Sequence, residues 1–116
     1  MKLSELVEEL RLEVRTCAAD LEREVTGGYA SDLISDVLAH GRAGDLWVTL
    51  QTHQNIVAAA SLKDLVGIVL VGGREPEEDA KQKAEAERVP LLVSSLPAFE
   101  LSGRLYQRGL RGEIAD

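Results

Sequence analysis

The stretch DLWVTLQTHQNIVAAASLKDLVGIVLVGG, residues 45–73, decides the fold. It opens with the apolar run DLWVTL, continues through the helix-forming segment NIVAAASLKDL, and ends on a second apolar run from Leu65 to Val71. Near-continuous apolar runs are typical of strands that are covered on both faces. Two short strands joined by a helix imply parallel pairing through a right-handed crossover. The stretch therefore predicts a βαβ unit.

The same alternation continues toward the C-terminus. The segments PEEDAKQKAEAERV, PLLVSS and PAFELSGRLYQRG predict a helix, a strand and a helix. Pro76 and Pro97 stand where the helices begin, and Gly109 marks the end of the last one. We therefore predict an α/β fold: a single domain over residues 1–109 with a mainly parallel sheet built from βαβαβα units. Residues 110–116 are predicted to be a frayed tail.

The N-terminal part predicts shorter elements. A first amphipathic helix, with Ser4 as its N-cap, is marked by Leu3, Leu6, Val7 and Leu10. Residues 12–14 predict a short strand, residues 25–30 a strand interrupted at Gly27-Gly28, and a helix follows that begins at Ser31 or Ser35 and ends at Arg42. The core is expected to consist of aliphatic residues on the central strands and on the helices that cover them. These residues are Val48, Leu50, Ile56, Val57, Ile68, Val69, Leu70, Leu92 and Val93.

The composition limits the classes of function. The 116 residues carry a formal net charge of −7, which opposes binding to nucleic acid because phosphates favour clustered Lys and Arg. No apolar run is long enough to span a bilayer and the acidic N-terminus is unlike a signal peptide, so we expect a cytoplasmic protein without membrane contact. The single Cys17 excludes an internal disulfide, and with His40 and His53 it forms no cluster at zinc spacing. No metal or cofactor is expected.

The segment EREVTGG, residues 22–28, and the pattern that follows it as far as Arg104 resemble the DRTGG domain. The residues that match the motif naming the family are Arg23, Thr26, Gly27 and Gly28. Glu22 stands where that motif has Asp, and Val25 is inserted before the threonine. The resemblance implies a fold similar to the N-terminal domain of HPr kinase/phosphorylase and to the DRTGG insert of CBS-containing pyrophosphatases. It also implies a regulatory or assembly module that forms a homodimer and lacks catalytic residues.

The glycine pair Gly27-Gly28 allows two interpretations, a phosphate-binding loop or a backbone conformation that requires glycine. In a P-loop the glycines open a helix and a Lys follows, but here the next residues are YASDL. We therefore interpret the pair as a β-bulge or tight bend with positive φ, and Arg23 as an ion-pair donor. The sequence contains neither a Walker motif nor a nucleophile elbow, so we do not expect an enzyme.

Three loops leave the predicted parallel strands at their C-terminal ends, where ligands of open α/β sheets bind. The loop GGREPEED places acidic residues in the first turn of its helix, which satisfy that helix start and repel anions. The loops QTHQN and SSLP have no acid there. They form the predicted ligand-binding site, which consists of Thr52, His53, Asn55, Ser94 and Ser95. Thr52 and Asn55 are equally good candidates for N-caps, Ser94 or Ser95 is expected to cap the last helix, and His53 has the alternative role of a cap or a solvated side chain.

The leading hypothesis is a non-catalytic regulatory module that forms a homodimer and binds a small anionic ligand, a nucleotide or another phosphorylated small molecule, at this edge. The alternative is a scaffold or adaptor that binds a partner enzyme and has no small-molecule ligand. An unrecognised hydrolase or transferase is the third possibility. A stabilisation of the purified protein by phosphorylated ligands separates the first hypothesis from the second, because ligands that bind only the native state raise its stability.

Overall fold

A computed structural model describes residues 1–112 of the chain. In that range the chain forms five helices and five strands. The helices are α1 Leu3–Leu10, α2 Ile34–His40, α3 Asn55–Leu62, α4 Glu78–Glu87 and α5 Ala98–Gln107. The strands are β1 Glu13–Val14, β2 Gly27–Ala30, β3 Asp45–Thr49, β4 Gly67–Leu70 and β5 Leu91–Val93. Most elements are shorter than predicted, because the predicted segments included the flanking turns.

The strands form one sheet in the order β1-β5-β4-β3-β2. The four strands from β2 to β5 are parallel, whereas β1 pairs antiparallel with β5 at one edge. In the middle of the sheet Ile68 is paired with Trp47 on one side and with Leu91 on the other. The α/β fold with a mainly parallel sheet is therefore confirmed, and the short N-terminal strand supplies its antiparallel edge.

Helices cover both faces of the sheet. One buried cluster joins α2, α3 and α4 to Trp47 and Ile68, and a second cluster joins α1 and α5 to Val48 and Val69. Successive side chains of a strand point to opposite faces, so each central strand contributes to both clusters. This explains why the strands are apolar without interruption.

Nearly all of the predicted core is buried. The buried members are Val48, Ile56, Val57, Ile68, Val69, Leu70, Leu92 and Val93. The prediction for Leu50 is wrong, because this side chain is 39% exposed. β3 ends at Thr49, and the backbone N–H of Leu50 turns to donate to Asp32 Oδ1 at 2.7 Å. The chain has left the sheet before Leu50 can reach the core.

The starts of three helices differ from the predictions. α1 begins at Leu3, so Ser4 lies inside the helix and is not its N-cap. The N-cap of α4 is Glu77, one residue after Pro76, and Pro97 is itself the N-cap of α5. Both prolines therefore precede the first helical residue, where the missing N–H is equally harmless.

Residues 110–112 differ from the frayed tail that was predicted to begin there. Leu110 is buried in the cluster beneath α5. The carbonyl of Arg111 accepts the N–H of Gly28 at 3.2 Å, so this segment lies along the edge of β2. The domain thus continues at least to Gly112, and the rest of the predicted tail, residues 113–116, lies outside the described residues.

Candidate functional site

Residues 21–25, at the start of the DRTGG-like segment, form backbone hydrogen bonds with the first residues of the chain, where α1 begins. The first N–H groups of an α-helix have no partner within the helix. Here the N–H of Leu3 donates to the carbonyl of Arg23 at 3.0 Å, and that of Ser4 to the carbonyl of Leu21 at 2.7 Å. On the same segment, the N–H of Val25 donates to the carbonyl of Met1 at 2.8 Å. The inserted valine is buried, so the insertion serves packing against α1.

The Arg23 side chain pairs with the turn that follows α3. Its Nη1 lies 3.2 Å from Asp64 Oδ1, and its Nη2 donates to the Asp64 carbonyl at 3.4 Å. Both side chains are largely exposed, so the pair contributes at most about 1 kcal/mol to the free energy of unfolding. The contact agrees with the interpretation of Arg23 as an ion-pair donor.

The glycines of the motif act through close approach. The predicted positive φ is wrong, because Gly27 and Gly28 lie in β2 and neither has a left-handed backbone. A Cβ on Gly27 would stand 2.6 Å from Asp45 Oδ1 and 3.0 Å from the Arg111 carbonyl. Thr26 packs over Gly44, whose φ of +87° and lack of a Cβ leave room for the threonine. The motif therefore packs closely against α1 and β3 and links both of them to β2.

The loop after β3 carries three of the predicted site residues. His53 and Asn55 are exposed, and Thr52 is partly buried. Gln54 is the N-cap of α3, and no side chain caps this helix, so Thr52 and Asn55 are not its caps. The first turn of α3 contains no acidic residue. The N–H groups of Ile56 and Val57 donate to the carbonyls of His53 and Gln54 at 3.1 and 3.0 Å, so the turn that carries the exposed His53 itself satisfies this helix start.

The start of α4 lies against this loop. The N–H of Glu77 donates to the carbonyl of Thr52 at 2.9 Å, and the Thr52 hydroxyl donates to Glu77 Oε2 at 3.2 Å. Glu78 and Asp79 follow in the first turn of α4. The acid-filled helix start is therefore a direct neighbour of the acid-free one, and the carboxylate of Glu77 stands beside the predicted site.

The two serines after β5 lie at the same edge of the sheet but on the other side of β4. Ser94 is buried, and its hydroxyl accepts the N–H of Leu96 at 3.1 Å, so it forms a local turn and does not cap α5. Ser95 is exposed. The N–H of Gly73 donates to the Ser94 carbonyl at 2.8 Å, and that of Gly72 to the Leu96 carbonyl at 2.8 Å. The loop after β4 is thereby held between the two groups of predicted residues.

Asp32 was missed by the sequence interpretation, although it organises this edge. Its Oδ1 accepts the hydroxyl of Thr49 at 3.0 Å and the N–H of Leu50 at 2.7 Å. Its carbonyl accepts the side-chain amide of Gln51 at 2.9 Å. The available signal was the pair Ser31-Asp32 between a predicted strand and the apolar positions of a helix, a place where Asp often bonds to nearby backbone groups.

Arg15, which follows β1, forms an ion pair with Glu75 in the loop after β4. Its Nε lies 2.6 Å from Glu75 Oε1 and its Nη2 lies 2.8 Å from Glu75 Oε2, a bidentate pair. The same Nη2 lies 2.6 Å from Glu13 Oε2 on β1. The hydrogen bonds from Arg15 lower the pKa of Glu75 below its ordinary value. The edge is therefore held by charged contacts at the β5 side and by Asp32 at the β3 side.

Other potentially reactive groups are buried or dispersed. Burial raises the pKa of the Cys17 thiol to about 11, and the Sγ lies 3.4 Å from the Ala84 carbonyl. Within residues 1–112, no three His, Cys, Asp or Glu side chains are grouped to hold a metal ion. No helix in that range is long and apolar enough to cross a membrane.

A cavity of about 590 Å³ lies at the N-terminal ends of β4 and β5. It is open and polar, and two ion pairs stand in it, Arg23 with Asp64 and Arg88 with Asp20. Glu22 and Glu87 also line it, so carboxylates outnumber guanidinium groups and the cavity does not favour an anion.

Comparison with known proteins gives one informative result. No family model and no curated protein matches the chain. The fold is similar to a crystal structure of the CBS and DRTGG domains of the regulatory region of Clostridium perfringens pyrophosphatase, complexed with its activator diadenosine tetraphosphate. The TM-score is 0.71 at 14% sequence identity, and the match covers 94% of this chain and 47% of that chain.

The architecture is thus a DRTGG-like α/β domain, which confirms the resemblance inferred from the sequence. The chain spans about half the length of the solved regulatory region. That region is regulatory rather than catalytic, and it binds a nucleotide.

Proposed function

We propose that the chain is a non-catalytic regulatory module that forms a homodimer and senses a small anionic ligand such as a nucleotide. The observation that carries this proposal is its DRTGG-like fold, which is similar to a regulatory region that binds a nucleotide activator. The chain covers 47% of that region, which also contains CBS domains. The transfer of the ligand class to this chain is therefore part of the proposal.

The proposed place of the ligand is the C-terminal edge of the parallel strands. Thr52, His53 and Asn55 line one side of the β4 loop, and Ser94 and Ser95 lie beyond it. The N–H groups of Ile56 and Val57 already donate to the carbonyls of His53 and Gln54, so the proposed attraction for an anion is the positive end of the α3 dipole, with no acid in the first turn to compete. An exposed imidazole at this point adds a hydrogen-bond donor.

The test is a thermal-shift screen of the purified protein against mononucleotides, diadenosine tetraphosphate and other phosphorylated metabolites. A ligand at about 100 times its dissociation constant adds about 2.7 kcal/mol to the free energy of unfolding. A hit is then titrated calorimetrically into the wild type, the His53→Ala, Asn55→Ala double variant and Glu77→Gln. We expect weaker binding to the double variant and stronger binding to Glu77→Gln, which removes the carboxylate beside Thr52.

Equal affinities of the wild type and the double variant would move the site to another part of the domain. A screen without any hit would contradict ligand sensing and favour the second candidate function, a scaffold or adaptor for a partner enzyme. That candidate is favoured by an apolar groove of about 450 Å³ between α2 and α3. Its lining contains no charged side chain: Ile34, Leu38, Asn55, Ala58, Ala59 and Leu62.

The adaptor function is tested with the purified products of the genes adjacent to the one for this protein. A saturable complex measured by calorimetry, lost in Leu62→Glu and kept in His53→Ala, would assign the groove to that product. Leu62 is 77% exposed, so its substitution does not disturb the core.

A further inference from the structure

The outer face of α5 carries two aromatic side chains, of which Phe99 protrudes into solvent and Tyr106 is covered on one ring face by the guanidinium of Arg111 at 3.7 Å. The inner face is buried through Leu101 and Leu105. On the outer face Phe99, the only phenylalanine of the chain, is 87% exposed, and Tyr106, two turns further along, is 59% exposed. Two large apolar side chains on one solvent-facing stripe are a feature of interaction surfaces.

Gly103 lies in the middle of this stripe. A glycine in a helix interior costs about 1 kcal/mol relative to alanine. A Cβ at Gly103 would meet nothing within 4 Å in the described part of the chain outside the backbone of α5 itself. The packing of the domain therefore gives no reason for a glycine at this position. Its absent side chain leaves a groove of about 400 Å³ lined by Phe99, Glu100, Gly103, Arg104, Gln107 and Arg108.

The groove is flanked by one acidic and one basic side chain, so two copies of it can face each other with opposite charges in contact. Glu100 and Arg104 are one turn apart on α5 and flank Gly103. When two copies of this helix are packed antiparallel about a two-fold axis near Gly103, residues before the glycine lie opposite residues after it. Glu100 of each copy then lies opposite Arg104 of the other within about one turn. Phe99 of each copy lies over the groove of the other.

We propose that α5 is the interface with a second copy of this chain, in which each Phe99 enters the groove at Gly103 of the other copy. This inference rests on the homodimer of the proposed function and adds its surface. A two-fold interface uses the same patch on both subunits. The stripe meets that condition because the protruding ring, the groove and both charges lie on one helix. The apolar groove between α2 and α3 has no charged lining that could set such an orientation.

The interface is tested by sedimentation velocity of the full chain over a range from about 1 to 200 micromolar. We expect Phe99→Glu to raise the dimer dissociation constant at least about 30-fold, because a buried aromatic anchor carries much of the energy of an interface. The matched control is Leu62→Glu, a similarly exposed apolar residue on α3, which should leave the constant unchanged.

Two further sets of variants separate the interface from an effect on folding. Gly103→Leu fills the groove and improves helix propensity, so the melting temperature of the dilute monomer should not fall while dimerisation is lost. Glu100→Arg and Arg104→Glu should each weaken the dimer about tenfold, because like charges then face each other. The double exchange should restore it.

The outcomes distinguish the interface from the homodimer itself. A wild-type chain that stays at 12.6 kDa up to 200 micromolar overturns both proposals. A wild-type dimer that persists unchanged in Phe99→Glu and Gly103→Leu overturns the α5 interface and leaves the homodimer standing. A wild-type dimer that is lost in Phe99→Glu and Gly103→Leu, weakened by each single charge reversal and recovered when the two reversals are combined supports the interface as proposed.

Discussion

Gly27 and Asp45 face each other across the β2–β3 pair with no room for a methyl group between them. A Cβ on Gly27 would stand 2.6 Å from Asp45 Oδ1. Asp45 is buried, and its Oδ2 accepts the N–H of Arg42 at 3.0 Å, so the carboxylate is fixed in place. A Cβ on the next glycine, Gly28, would lie 3.9 Å from its nearest neighbour, the carbonyl oxygen of Leu46, which is an ordinary van der Waals contact. The two glycines of the motif are therefore under different constraints.

We expect Gly27→Ala to lower the free energy of unfolding by about 1–3 kcal/mol, the usual cost of overpacking. Gly28→Ala is the matched control and should change it by no more than about 0.5 kcal/mol. Urea denaturation of both variants measures the difference. Equal effects of the two substitutions would show that the motif does not act through the contact with Asp45.

The central strand β4 allows a test of the core. Ile68 is completely buried, so Ile68→Asp places a carboxylate where nothing can compensate its charge, and we expect the protein to be unfolded at 25 °C. Leu50→Asp is the control, because this leucine lies beyond the end of β3 and is 39% exposed. Far-ultraviolet circular dichroism distinguishes the two. A folded Ile68→Asp variant would contradict the position of β4.

The pair between Arg15 and Glu75 should give a pH-dependent contribution to stability. The pKa of Glu75 is lower in the folded protein than its ordinary value because Arg15 hydrogen-bonds to the carboxylate. The contribution is therefore complete above about pH 4.3 and is lost as the pH falls through the folded-state pKa. Glu75→Gln should lower the melting temperature at pH 7, and the difference from the wild type should shrink toward about pH 3. Glu8→Gln, on the exposed face of α1, is the control. A difference independent of pH would argue against the pair.

The Cys17 thiol should be unreactive in the folded protein. Its pKa is raised to about 11, mainly by burial, and the thiolate is the reactive form. At pH 8 we expect iodoacetamide to alkylate the native protein at least about 100-fold more slowly than the protein in urea. Mass spectrometry of timed samples gives both rates. Comparable rates would mean that the segment around Cys17 opens readily.

The order of strands and helices was predictable because each central segment carries its own signal. Continuous apolar runs, prolines before helices and a glycine after the last helix all agree over residues 45–109. The end of β3 was not predictable from this pattern. Leu50 continues the apolar run, and only the turn toward Asp32 takes it out of the sheet.

That the loops carrying the candidate residues share one edge of the sheet was predictable, but the contacts within and between those loops were not. Parallel connectivity places His53 and Ser95 at one edge of the sheet, as expected. The bonds that hold the β4 loop between them, and that set Glu77 against Thr52, join residues far apart in sequence. The close approach of Gly27 to Asp45 depends in the same way on the strand register, which no local pattern encodes.

The pairing of β1 with β5 sets the order in which the domain can assemble. Glu13 lies opposite Val93, so the first strand of the chain joins the sheet at the last strand. On the ribosome, where domains are synthesised from the N-terminus, β1 has no partner until nearly the whole domain has emerged. Until then only the parallel strands β2 to β4 can pair with one another as they appear. β1 is thus synthesised before the other strands of the sheet but is among the last to pair. Its pairing with β5 completes the edge of the sheet at which Arg15 forms its ion pair with Glu75.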